Sequence, residues 1–189
     1  MKNQRVIASL RNNDDLEAVL NSEARTVFLL SADVCQLEEQ CARLRDAGRQ
    51  VFLHLDLVDG LKGDESGIRF AARRFRLTGI ISTRATCLKQ AKEEGLLAIQ
   101  RVFMLDSSAL RTGQMHAQSC KPDFVEVLPG ISAKIIKLAV ANFQVPIIAG
   151  GLISDWEDVE NAFAAGASAV STSHRDLWRQ VRSGREKAK

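Results

Sequence analysis

The sequence predicts an α/β chain folded as a compact (β/α)8, TIM-like barrel in a single domain. Three observations carry that prediction. Eight short apolar or β-branched runs alternate with amphipathic helical stretches along the chain. Parallel strands joined by helical crossovers can close on themselves after eight. The competing open, doubly wound sheet would carry a GxGxxG fingerprint early in the chain, and none occurs there. With 189 residues, 46% of them hydrophobic, the chain can bury one sizeable core. It falls short of the roughly 250 residues of a typical barrel, so some helices must be short.

Taken in order, the first runs are RVIASL at 5–10 and TVFLLS at 26–31. DVCQLEEQCARLRDAG follows, with Asp33 suited to an N-cap and Gly48 to a left-handed C-terminal position. VFLHLDL at 51–57 is the third strand, and 58–75 leaves the position of its helix open. GIIST at 79–83 leads into RATCLKQAKEEG, which Gly95 ends. LAIQRVF at 97–103 is the fifth strand, and 104–121 again leaves its helix unplaced. FVEVLP at 124–129 precedes ISAKIIKLAVANF, and VPIIAGG at 145–151 precedes SDWEDVENAFAAG. Ser154 is the expected N-cap of that last helix and Gly166 its C-terminal glycine. Trp156, Val159 and Phe163 recur at intervals of three and four, a stripe that should face the core. ASAVSTS at 167–173 is the eighth strand, with a short helix expected near His174. The barrel is assigned to residues 1–180, and 181–189 to a basic tail with the composition of a partly disordered end.

In such a barrel the functional face is the set of loops after the strand C-termini, and phosphate commonly binds after strands 7 and 8. Gly150-Gly151 ends strand 7, and Ser171-Thr172-Ser173 ends strand 8. Two glycines, three hydroxyls and helix-terminal N–H groups would make a donor-rich cradle for an anion. The structural alternatives are a tight turn and an ordinary cap; the pairing at the two expected strand ends favours phosphate. Asp56, Gln100, Arg101 and Glu126 each interrupt an otherwise apolar strand, which is costly unless the group is paired or lines a cavity. Asp56 and Glu126 suit acceptance from ligand hydroxyls with Arg101 offsetting their charge; an internal Arg101–Glu126 pair is the alternative. Lys62, between glycines in a polar loop, suits either a phosphate contact or solvent.

Composition narrows the function classes. Cys35, Cys41, Cys87 and Cys120 show no zinc spacing or disulfide framework, and reduced, mostly buried thiols are expected. His54, His116 and His174 lack metal-ligand spacing and read as structural or surface residues. No metal site, cofactor or catalytic residue is predicted. The chain shows no apolar run of membrane-spanning length and no signal-peptide pattern, so a cytoplasmic, membrane-free protein is expected. Of a net charge of +3, residues 175–189 carry +4 and the rest −1, so the positive excess sits at the end. Tyrosine is absent and aromatics total 5%, too few for a base-stacking platform; any RNA contact would use Arg and Lys on shape and backbone.

FLHLDLVDGLKGDE, GIISTRA, AIQRVFMLDSSAL, KPDFVEVLPG, IIAGGLIS and GASAVSTSHRDLW, in that order, closely resemble the glycerol uptake operon antiterminator regulatory proteins. The resemblance runs from ASLRN to DLW. It implies a cytoplasmic regulator with a barrel-like fold that responds to glycerol 3-phosphate and acts on the leader of nascent glycerol-operon mRNA. Carried onto this chain, it implies phosphate at Gly150, Gly151, Thr172 and Ser173. The glycerol end would meet Asp56 and Glu126, with Lys62, Arg84 and Gln100 nearby; Arg84 suits RNA equally well. An enzyme acting on a small phosphorylated substrate, with Asp56 and Glu126 as an acid/base pair, is the runner-up. A ligand-gated barrel that meets a protein partner is the third reading, and homo-oligomerisation is left open.

Overall fold

A computed structural model, which describes residues 5–12 and 14–179, has the closed eight-stranded barrel. The strands are β1 (Val6–Leu10), β2 (Thr26–Leu29), β3 (Gln50–His54), β4 (Gly79–Ser82), β5 (Leu97–Phe103), β6 (Phe124–Leu128), β7 (Ile147–Gly150) and β8 (Ala169–Thr172). Each pairs in parallel with its neighbours in sequence, and β8 closes on β1 through Val6↔Val170 and Ala8↔Thr172. Outside them lie α1 (Asp14–Leu20), α2 (Val34–Asp46), α3 (Glu65–Phe75), α4 (Ala85–Glu93), α5 (Ser107–Cys120), α6 (Ala133–Asn142) and α7 (Trp156–Ala164). A 3-10 turn, Arg175–Trp178, stands where an eighth helix would be.

The two unplaced segments both contain capped helices. Asp64 accepts from the Gly67 N–H at 2.8 Å to start α3, and Asp106 from the Ala109 N–H at 2.7 Å to start α5. Asp33 caps α2 as expected, accepting from Cys35 N–H at 2.8 Å. Two expectations change. The N-cap of α7 is Asp155, not Ser154: its carboxylate accepts from the Asp158 N–H at 2.9 Å, while Ser154 donates to Asp158. A carboxylate carries a full charge toward the helix N-terminus and outcompetes the hydroxyl. The third strand stops at His54, and Leu55–Leu57 form a 3-10 turn that carries Asp56.

Side chains alternate along each strand, so every second residue points into the barrel. Ile7, Phe28, Phe52, Ile81, Ile99, Ile148 and Ala169 form one interior layer, with Phe28 and Phe52 edge to face at 5.7 Å between centroids. Two residues further along each strand comes Ser9, Leu30, His54, Thr83, Arg101, Glu126, Gly150 and Ser171. The interior therefore changes from apolar to polar within one step toward the C-terminal mouth. The opposite strand faces pack on the helices; Val159 is buried in that outer core, with Trp156 and Phe163 against it. Trp178, 1% exposed, donates through Nε1 to the Thr172 carbonyl at 2.9 Å and ties the last turn to β8.

Beyond β2 and β3 the chain makes a second, two-residue parallel pairing, Ala32–Asp33 with Val58–Asp59. Cys41, Cys87 and Cys120 are buried free thiols and Cys35 is exposed. No helix among the described residues is long and apolar enough to cross a membrane. The basic tail at 181–189 lies outside the described residues.

Candidate functional site

Arg101 and Glu126 are register partners on β5 and β6, so the pleat sets their side chains together inside the barrel. Arg101 Nε donates to Glu126 Oε2 at 2.6 Å, and Ser171 Oγ donates to Glu126 Oε1 at 2.6 Å. The pair is almost dry, with side-chain exposures of 7% and 1%. The internal Arg101–Glu126 ion pair is present. The pair nevertheless leaves the guanidinium with donor capacity: only Nε is engaged, and Nη1 and Nη2 have no hydrogen-bond acceptor among the described residues. A guanidinium carries five N–H donors, so four remain.

Above this floor opens a cavity of about 340 Å³. Arg101, Glu126, Ser171 and Ser9 form its base, the turn from Gly151 to Ser154 one wall, and Thr172, Ser173, His174 and Arg11 the other side and rim. The turn is backbone-strained: Gly151 has φ +84° and Leu152, a non-glycine that is 72% exposed, has φ +62°. A left-handed leucine costs about 1–2 kcal/mol, and such outliers persist where surrounding structure enforces them. Gly130 N–H enforces it here by donating to the Gly150 carbonyl at 2.6 Å.

Of the residues expected to hold phosphate, Gly151, Thr172 and Ser173 face this cavity, and Gly150 lies behind them. A Cβ on Gly150 would sit 2.6 Å from both Glu126 Oε1 and Ser171 Oγ, so its lack of a side chain makes room for the buried carboxylate. The Thr172 hydroxyl is already used twice, donating to Ile153 O at 2.7 Å and accepting from His174 N–H at 3.1 Å. The start of α7 is also occupied, because Asp158 takes the Ser154 N–H at 2.9 Å and Asp155 takes the Asp158 N–H. These Ser154 bonds hold the Asp158 carboxyl below the usual range. The Ser154 N–H is therefore spent within the helix cap, while the Nη groups of Arg101 at the cavity floor are unengaged.

Asp56, Arg84 and Lys62 gather on the β3–β4 side of the mouth instead. Asp56 accepts from Ser82 Oγ at 2.8 Å, Thr83 N–H at 2.7 Å, Thr83 Oγ1 at 2.9 Å and Arg84 Nε at 3.0 Å. Burial pushes its carboxyl up, but the Thr83, Ser82 and Arg84 donors outweigh that and leave it lowered. It braces the loops after β3 and β4. A Cβ on Gly63 would meet Arg84 Nη2 at 2.2 Å, so glycine there lets the guanidinium reach Asp56. Lys62 is exposed, with no ion-pair partner among the described residues. Gln100 stands apart from both groups: it points out of the barrel and donates to the Gly113 carbonyl of α5 at 2.9 Å.

Sequence reasoning did not single out Ser9 or Arg11; it set Ser171 among the cradle hydroxyls, where it instead donates to Glu126, and it read His54 as structural or surface. The signal was available in the period of two: once Ile99 is inside, Arg101 is inside and Gln100 is not. His54, 3% exposed, belongs to the polar layer. Burial, and next the Arg101 charge, push its imidazole down to about 4, against the opposing pull of Asp56 and Glu126. Its Nδ1 has no hydrogen-bond partner among the described residues. No group of three or more His, Cys, Asp or Glu side chains converges on a metal position among the described residues.

Comparison with known proteins adds four findings. Residues 6–178 match the family model of the glycerol-3-phosphate responsive antiterminators. The crystal structure of the glycerol uptake operon antiterminator regulatory protein from Listeria monocytogenes superposes with a TM-score of 0.89 at 40% identity, covering 93% of this chain and 95% of that one. A glycerol uptake operon antiterminator-related protein from Thermotoga maritima gives 0.82 at 34% identity, covering 93% and 98%. The Escherichia coli (strain K12) protein YgcP is 34% identical over 173 residues, 92% of this chain and 91% of its own length.

Proposed function

The chain belongs to the glycerol-3-phosphate responsive antiterminator family, and from that premise we propose that its barrel mouth is the sensor of a cytoplasmic regulator of glycerol uptake. Glycerol 3-phosphate enters the cavity above Arg101 and Glu126. Its phosphate lies against the Gly151–Ser154 turn and Ser173, within reach of the Arg101 Nη donors and of Arg11 at the rim. Its hydroxyls meet Glu126, Ser171 and Ser9. The observation that carries this reading is the floor itself: a buried guanidinium, held by one carboxylate, with both Nη groups unengaged beneath a cavity.

An ion pair placed so deep is expensive to desolvate. Its retention at the base of a cavity fits a ligand that completes the donors of Arg101. Ligand in place bridges the β5–β6 floor to the loops after β7 and β8. That coupling favours one arrangement of the mouth, and the leader mRNA of a glycerol operon prefers it; the effector shifts the equilibrium only by its difference in affinity for the two arrangements. Acid/base turnover is less well supported, because Asp56 is taken up by its loop donors and does not line the cavity, which leaves Glu126 without a second carboxylate there.

Isothermal titration with glycerol 3-phosphate, glycerol and inorganic phosphate tests the reading. The parent should bind glycerol 3-phosphate more tightly than either fragment; Ser171→Ala should weaken it about tenfold, the loss of one good polar contact, and Gly151→Val should weaken it by setting a branched side chain at a φ of +84° and displacing the turn. No heat from the parent, or unchanged binding in both variants, would refute this placement.

A further inference from the structure

The exposed cations of this barrel are unevenly neutralised. On α2–α4 most basic side chains are tied: Arg43 to Glu17, Arg69 to Glu65 and Glu94, Arg74 to Glu38 and Lys92 to Asp123. From Ser107 to Val145 the pattern reverses. Arg111, Lys121, Lys134 and Lys137 are exposed and have no acidic partner among the described residues. The acids of that stretch, Asp123 and Glu126, already pair with Lys92 and Arg101. The face formed by α5 and α6 therefore carries an excess of positive charge, with Asp106, the exposed N-cap of α5, at its edge.

The same face holds a groove of about 500 Å³. Gln114, Gln118, Asn142 and Gln144 line it beside Lys121, with Phe143 in its wall. Gln114 Nε2 donates to Asn142 at 3.3 Å, which joins the two helices across it. Side-chain amides present a donor and an acceptor together and so match the edges of unpaired bases, while lysine and arginine match phosphates. We propose that the α5–α6 face is the docking surface for single-stranded RNA, with the amide groove taking a base and Arg111, Lys121, Lys134 and Lys137 taking the backbone. This rests on the RNA partner of the preceding reading and adds where that partner sits. Charge complementarity argues against a second copy packed α5–α6 on α5–α6, because such a contact would set these cations against themselves.

The test is fluorescence anisotropy with a labelled, mixed-sequence RNA of about 20 nucleotides, with glycerol 3-phosphate present and salt varied. Each cation lost from a single-strand contact lowers the log–log salt slope by about 0.7. The triple variant R111A/K134A/K137A should therefore lower it by about 2. Q118E should weaken binding by placing a negative charge in the groove. R73A/R74A on α3 should bind as the parent does. All these positions are exposed, and matching urea midpoints would confirm intact folds. If the parent binds and the triple variant keeps its slope, the docking surface is wrong while the RNA reading stands. If the parent does not bind RNA at any salt, the RNA partner is wrong and this proposal falls with it.

Discussion

Replacing Arg101 by methionine removes one member of the buried pair and leaves Glu126, 1% exposed, with Ser171 as its remaining partner. Methionine fills much of the same volume, so the loss is chiefly that of an uncompensated charge rather than of packing. Breaking a buried pair in this way costs about 3–5 kcal/mol. In a chain of this size each kcal/mol moves the thermal midpoint by about 2–4 °C, so a fall of about 6–20 °C is expected. Urea unfolding followed by the fluorescence of buried Trp178 reads the free energy directly. The companion double variant, Arg101→Met with Glu126→Gln, keeps the shape and the Ser171 contact but removes the stranded charge. It should recover at least half of the loss. A single variant within about 1 kcal/mol of the parent, the range of an ordinary substitution, would refute the reasoning. So would a double variant no more stable than the single one.

Two further outcomes follow from the same layer. Gly150→Ala sets a Cβ 2.6 Å from two oxygens that must stay bonded to each other, which should cost about 1–3 kcal/mol; adding Ser171→Ala should relieve part of it, and a thermal midpoint that does not respond would contradict the clash. His54 is neutral when folded, with its pKa lowered to about 4, against about 6.5 in the unfolded chain. Its contribution to stability is therefore complete above about pH 6.5 and lost as pH falls toward 4, in total about 3 kcal/mol. Urea midpoints across that window should drop for the parent and flatten for His54→Gln; equal slopes would show that another group carries the acid sensitivity.

Much of the fold was legible because its signals are local. Strand and helix periods, acidic N-caps and turn glycines are written over a few residues each, and eight repetitions leave little choice of architecture. The misplacements were local competitions as well. Ser154 lost the cap to Asp155 because a charged acceptor sits one residue later. Asp56 lies beyond the strand, where its carboxylate collects four donors from the last residue of β4 and the two that follow it.

The site was only partly legible, and the reason lies in closure. Sequence alone determined that glycines end β7, that hydroxyls end β8, and that charges interrupt β5 and β6. It could not say which of these meet. Ser171 and Glu126 are 45 residues apart, and whether Glu126 serves Arg101, Ser171 or a ligand depends on the register between β5 and β6 and on the curvature that brings β8 round to them. The same curvature carries Asp56 and Arg84 to the β3–β4 side and leaves the cavity over the other. Gln100 and Arg101 are adjacent in sequence and equally polar. The pleat alone sends one to α5 and the other into the barrel, because successive side chains on a strand must point to opposite faces.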